Sequence, residues 1–97
     1  MNYMNIVKFN VKPQHVEDYL KSSREMPLFT GQIMGRLVQI GEHSFCSMGL
    51  WDSKAAMDAE MANMISYLDG IRHMLEEISP ELGVTDAVSG SVIMENK

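Results

Sequence analysis

An apolar run beginning at Phe45 ends in the chain's only tryptophan, Trp51, and Asp52-Ser53 then leads into a long helix-forming segment. Ser53 is a good N-cap, because its hydroxyl can accept from an unpaired backbone N–H of the first helical turn. The stretch Gly49-Leu50-Trp51-Asp52-Ser53-Lys54-Ala55-Ala56 therefore reads as strand, large aromatic plug, cap and helix.

Hydrophobic patterning orders the rest of the chain around this junction. Tyr3 to Val11 alternates, with Tyr3, Val7, Phe9 and Val11 on one side and Met4, Ile6 and Lys8 on the other, as a half-buried strand does. Pro13 suits a first helical position, and Val16, Tyr19, Leu20 and Ser23 space as one helical face up to about Glu25. Met26 to Gly31 is an apolar loop. Ile33 to Ile40 and His43 to Trp51 are expected as strands, joined by Gly41-Glu42 as a two-residue type II′ turn. Met57, Met61, Met64, Leu68, Ile71, Leu75 and Ile78 then recur at steps of four and three, one continuous helical stripe closed by Ser79-Pro80. Gly70 weakens that helix and predicts a kink or break between Ser66 and Gly70. Ala87 to Met94 is the last strand. The order β-α-β-β-α-β predicts a single domain over 1–97 with a ferredoxin-like α+β fold: one four-stranded antiparallel sheet, both helices on one face.

Several function classes drop out. A net charge of −5 lacks the basic footprint of a nucleic-acid or anionic-membrane binder. The first dozen residues alternate apolar and polar, unlike a signal peptide or a spanning helix, so a cytoplasmic protein is expected. The lone Cys46 excludes an internal disulfide and any multi-cysteine metal motif; it is expected as a buried, inert thiol. His15, His43 and His73 have no ligand-like spacing, and no metal is expected. His73 points off the helical stripe, with Asp69 and Glu77 as surface partners.

With Gly41-Glu42 as the turn, Ile40 pairs with His43, Val38 with Phe45, Arg36 with Ser47 and Met34 with Gly49. One sheet face then carries Ile33, Leu37, Cys46, Met48 and Leu50 and meets the helices. The other carries Met34, Arg36, Val38, Phe45, Ser47 and Trp51; a three-residue turn would shift the pairing by one and mix the two sets. Four strands ~4.8 Å apart and ~20 Å long leave roughly 400 Å² of that second face without a helix to cover it. A homodimer packed sheet to sheet, with a cavity between the copies, is expected.

The Trp51-Asp52-Ser53-Lys54-Ala55-Ala56 junction after a strand hairpin, within this order of elements, resembles the antibiotic biosynthesis monooxygenase (ABM) family of dimeric α/β barrels. The resemblance spans the chain in topology and rests in sequence on the W-x-S-x-x-A junction. It implies a homodimer, and it brings in cofactor-independent oxygenases acting on polycyclic phenols, haem-degrading enzymes and members of unknown activity. The haem-degrading members use a first-strand asparagine, a helix tryptophan and a later histidine. Ile6, Ala59 and Asp69 occupy those places here, with Asn5 one residue off and facing the other way, so haem is not expected and no cofactor is assigned.

Two readings follow. The first is an oxygenase without metal or flavin, acting on an electron-rich phenol or quinol bound between the sheet and the partner subunit. Arg36 would stabilise the anion, Ser47 would hydrogen-bond, Phe45 and Trp51 would stack, and Met34 would line an adaptable wall; no general base is evident on that face. The second is a non-catalytic dimeric module of the same fold that binds a small aromatic molecule or serves as a structural partner. Trp51 fits equally as a structural plug, and Arg36 as an edge residue reaching solvent.

Overall fold

The computed structural model describes residues 1–96 of the 97. Five strands form one antiparallel sheet: β1 (Tyr3–Val11), β2 (Gln32–Gln39), β3 (Ser44–Trp51), the two-residue β4 (Leu75–Glu76) and β5 (Asp86–Ser91). The order across the sheet is β2-β3-β1-β4, and β5 pairs with the opposite end of β1 from β4. The helices are α1 (Val16–Glu25), α2 (Lys54–Ala59) and α3 (Met61–Ile71). This is the expected ferredoxin-like architecture, with one short strand added. No helix among the described residues is long and apolar enough to cross a membrane.

The junction after β3 forms as the sequence dictates. Ser53 is extended, and its hydroxyl accepts from the Ala56 backbone N–H at 3.0 Å, capping α2. Gly31 meets this corner with φ +83°, and a Cβ there would stand 2.9 Å from the Ala56 Cβ, so only glycine lets the loop before β2 close against α2. The Asp52 N–H donates to the Gly31 carbonyl at 3.0 Å and ties the two segments together.

The long helical stripe breaks earlier than Gly70 predicts. It bends at Glu60, between α2 and α3, and passes through a 3-10 turn at Arg72–Met74. Leu75 and Glu76 leave the helix to pair with Val11 and Asn10 of β1, and the Lys12 N–H donates to the Met74 carbonyl at 2.7 Å. Strand pairing with β1 overrides helical period there. His73 is exposed as expected, but Asp69 pairs with Arg72 at 2.9 Å, while the His73 ring lies edge-on to His15 at 5.7 Å.

The β2–β3 register departs from the two-residue turn. Gly41-Glu42-His43 form a three-residue loop closed by the Ile40 N–H on the Ser44 carbonyl (2.9 Å). The His43 carbonyl is taken by the Val11 N–H at 2.8 Å, so His43 belongs to the contact with β1 instead of pairing with Ile40. The observed pairs are Arg36 with Met48, Leu37 with Ser47 and Gln39 with Phe45, one residue from the expected set. Because side chains alternate, this slip turns every β3 residue over. Phe45, Ser47 and Trp51 face the helices; Cys46, Met48 and Leu50 share the open face with Met34, Arg36 and Val38. Ile33, expected against the helices, sits at a bulge and is 47% exposed. Cys46 is buried as expected, though on the open face.

The core lies under the β1–β3 pair. Phe9 stacks on Phe45 (6.0 Å between centroids), and Tyr19 from α1 meets Phe9 edge-on at 5.3 Å. Val11, Ile71 and Leu75 complete it.

Candidate functional site

The helix-facing side of the sheet is filled at one end and hollow at the other. Toward β4 it carries Phe9, Val11 and Phe45, which pack with the helices. Toward β5 it carries Asn5, Gly35, Ser47, Gly49, Ala87 and Ser89, whose side chains are too short to reach α1 and α3. The space left is a cavity of about 730 Å³ between sheet and helices. The cavity expected from the sequence is on the open face, between sheet and partner; this one lies within the chain, on the helix-facing side. Its roof is methionine-rich, with Met57, Met61 and Met64 from α2 and α3 and Met26 from the loop after α1; unbranched, polarisable side chains of this kind adapt to flat ligands. Leu28, Met61 and Ile65 are exposed at its mouth.

One aromatic pair and one polar corner define the interior. The Trp51 indole, 1% exposed, stacks on Phe29 with centroids 6.1 Å apart and planes 17° from parallel. Its Nε1–H donates to Asn5 Oδ1 at 2.8 Å, across the β1–β3 pair. Gln32 lies alongside, its Oε1 accepting from the Phe29 backbone N–H (3.1 Å) and its Nε2 donating to the Met34 carbonyl (3.2 Å). Gly49 sits under this group; a Cβ there would stand 2.5 Å from Asn5 Oδ1, 3.1 Å from Trp51 Nε1 and 3.2 Å from Gln32 Nε2.

The residues singled out in the sequence divide between two places. Ser47 and Trp51 line the cavity. Phe45 faces the same way but is buried behind Phe9 and Tyr19 in the core. Met34 lies on the other face of the sheet, opposite Leu50. Arg36 is on that face too; its exposed guanidinium donates from Nη1 to the Gly35 carbonyl at 2.7 Å, and the residue reaches only the rim of the cavity. Arg24, at the end of α1, is a second exposed arginine at that rim. Asn5, Phe29 and Gln32 were missed. Asn5 had a legible signal, since it interrupts the apolar alternation Tyr3, Val7, Phe9, Val11 at the position nearest the hollow end. Phe29 and Gln32 had none, because a loop has no period.

Ionisable groups in the cavity are few. Tyr19 and Tyr67 line it, and no carboxylate or histidine does among the described residues. Burial, and then the neighbouring Tyr67, push the Tyr19 phenol up from its ordinary value of 10.0, which makes it a poor candidate for a base. Among the described residues no three His, Cys, Asp or Glu side chains gather as a metal site requires. Ala59 and Asp69, at the positions compared with the haem-degrading members, are exposed on the helices.

No protein-family model matches the sequence, and no curated protein matches it. Solved structures do. One from Chloroflexus aurantiacus, described as a candidate antibiotic biosynthesis monooxygenase, superposes with TM-score 0.76 at 12% identity, covering 100% of this chain and 98% of that one. The fold is that of the antibiotic biosynthesis monooxygenase-like proteins. SnoaB, described as a cofactor-independent oxygenase from Streptomyces nogalater, gives TM-score 0.66 at 12% identity over 97% of this chain and 95% of its own. A dimeric ferredoxin-like protein from an uncultured marine organism gives 0.72 at 16% identity, over 99% and 91%. At such identities the likeness to the ABM-like proteins is one of fold.

Proposed function

We propose that this chain is an oxygenase that uses neither metal nor flavin, oxidising a flat, electron-rich phenol or quinol held between its sheet and helices. The observation that carries this reading is the part-buried corner where Trp51 and Phe29 stack beside the amides of Asn5 and Gln32. SnoaB, which shares the fold, is described as a cofactor-independent oxygenase, and this adds support. For an anthrone-type substrate the deprotonated ring system passes one electron to dioxygen. The radical pair then closes a C–O bond as a hydroperoxide, and loss of water leaves a carbonyl, so CH2 and O2 become C=O and H2O. The protein's part is to exclude water, hold the ring and stabilise the oxyanion from which the electron leaves. With no carboxylate or histidine on the walls, the substrate must give up its proton to water or enter as the anion. Arg24 and Arg36 at the rim favour anions.

The molecule acts as a homodimer in this reading. Cross-strand rows Arg36–Met48–Ile6–Val88 and Met34–Leu50–Met4–Gly90 run over the open face, and it is this face that a second copy covers. The dimeric ferredoxin-like neighbour supports it.

Oxygen uptake with a panel of anthrones and hydroquinones, in the presence of a chelator, tests the activity. Protein-dependent consumption that the chelator leaves unchanged is expected, with one O2 per carbonyl formed on an anthrone. The bare cavity walls, without a base, favour a second reading as a binding module for a small aromatic molecule. Tight binding with no uptake above the buffer blank across the panel would establish it.

A further inference from the structure

The Asn5 amide could offer a ligand either its oxygen or its nitrogen, and Trp51 decides between them. An indole N–H can only donate, so the amide atom 2.8 Å from Trp51 Nε1 must be the oxygen. That leaves Nδ2, with two N–H groups, as the free end of a side chain lining the cavity; the Asn5 hydrogen bond to Trp51 uses only the oxygen. Gln32 is fixed by the same logic. Its Oε1 faces the Phe29 backbone N–H, a donor only, and one Nε2 proton goes to the Met34 carbonyl, leaving one N–H to spare. The two amides come together over Gly49, where a Cβ would touch both. Each amide oxygen already accepts from a donor that cannot reverse, and this fixes both amides with the nitrogen as the end left to donate. The hydroxyls of Ser47 and Ser89 on the same floor rotate to suit either kind of partner.

We infer that this corner is a receptor for an acceptor oxygen on a flat aromatic ligand (a ketone, quinone or phenolate), with Asn5 as the contact and Trp51 and Gln32 as positioning residues. The inference rests on the cavity reading above and deepens it, but it concerns binding and needs no turnover. A hydroxyl or N–H that must donate meets amide N–H groups that cannot accept, and only the second lone pair of an oxygen already engaged. The Trp51 ring therefore has two tasks, stacking on Phe29 and aiming the Asn5 amide.

Fluorenone, fluorene and carbazole test this, since they share one flat tricyclic skeleton and present an acceptor oxygen, no polar group and an N–H donor respectively. Calorimetric titration of the full chain should show fluorenone binding about tenfold tighter than fluorene, one hydrogen bond's worth, with carbazole no tighter than fluorene. Asn5→Asp keeps an oxygen for Trp51 but replaces the N–H2 by an acceptor; fluorenone should lose its lead and carbazole should overtake it. Trp51→Phe keeps a ring against Phe29 and releases the amide. The fluorenone lead should narrow while fluorene affinity stays within about twofold; equal weakening of all three would remove the positioning role. Equal binding of the three by the unaltered chain, no binding of any, or a lead that survives Asn5→Asp would overturn the inference. A lead that disappears in Asn5→Asp, in a protein that consumes no oxygen, would sustain it and defeat the oxygenase reading alone.

Discussion

Gly49 and Asn5 face each other across the β1–β3 pair so closely that a single methyl on Gly49 would stand 2.5 Å from the Asn5 amide oxygen. Real Cβ atoms do not approach oxygen so nearly, so Gly49→Ala must push the amide off the Trp51 indole. Trp51 Nε1 and Gln32 Nε2, 3.1 and 3.2 Å from the same point, leave the amide little room to yield, and overpacking of this kind costs about 1–3 kcal/mol. Chemical denaturation should show that loss, and the indole N–H resonance should shift as its hydrogen bond breaks. A neutral substitution with an unmoved resonance would mean that these side chains make room without breaking their hydrogen bond.

Removing the Trp51 side chain should cost more. The ring is 1% exposed, stacks on Phe29 and donates to Asn5. Trp51→Ala leaves a void at the end of β3, and large-to-small changes of this type cost about 3–5 kcal/mol. Trp51→Phe should lose a smaller part, which denaturant midpoints at constant slope would measure.

Tyr19 gives the fold a pH dependence of definite sign. Its phenol is pushed up from 10.0 in the folded chain, chiefly by burial, so the folded state holds that proton more tightly than the unfolded state. Its contribution to stability is complete below about pH 10 and drains away as pH rises through that value toward the higher folded-state one. Tyr19→Phe should flatten this alkaline limb relative to the unaltered chain while leaving the curve below pH 9 unchanged in shape. An alkaline limb that stays the same in the variant would assign it to other groups.

The Ser53 cap is open to a local test. Its hydroxyl satisfies the Ala56 N–H, and α2 is only six residues long, so the cap is a large share of what holds it. Ser53→Ala should cost about 1 kcal/mol. Asp58→Ala, which breaks the exposed Lys54–Asp58 pair, should cost a few tenths at most.

Assembly can be read from Val38, which is 40% exposed on the open face of β2. Val38→Glu should leave the far-ultraviolet dichroism unchanged and halve the mass seen by light scattering, because the proposed dimer would bury that charge. A monomeric unaltered chain at tens of micromolar would remove the basis of the proposed assembly.

The elements themselves are written locally. The alternation of Tyr3 to Val11, the Ser53 cap and the apolar run into Trp51 each describe a few neighbouring residues, and the structure keeps all three. The sides of β1 were legible for the same reason, and Asn5 among Tyr3, Val7 and Phe9 was a mark of the cavity in plain view. What the chain could not show locally was decided by partners distant in sequence. Val11 takes the carbonyl of His43, lengthens the hairpin loop by one residue and so turns over all of β3. Pairing with β1 likewise draws Leu75 and Glu76 out of a helical period that continues through them. The cavity belongs wholly to tertiary structure. It exists because short residues from four strands meet at one end of one face while Phe9, Val11 and Phe45 meet at the other. Periodicity fixes which way a side chain points relative to its own strand; only register fixes which side chains from different strands stand together, and a void is a property of that company.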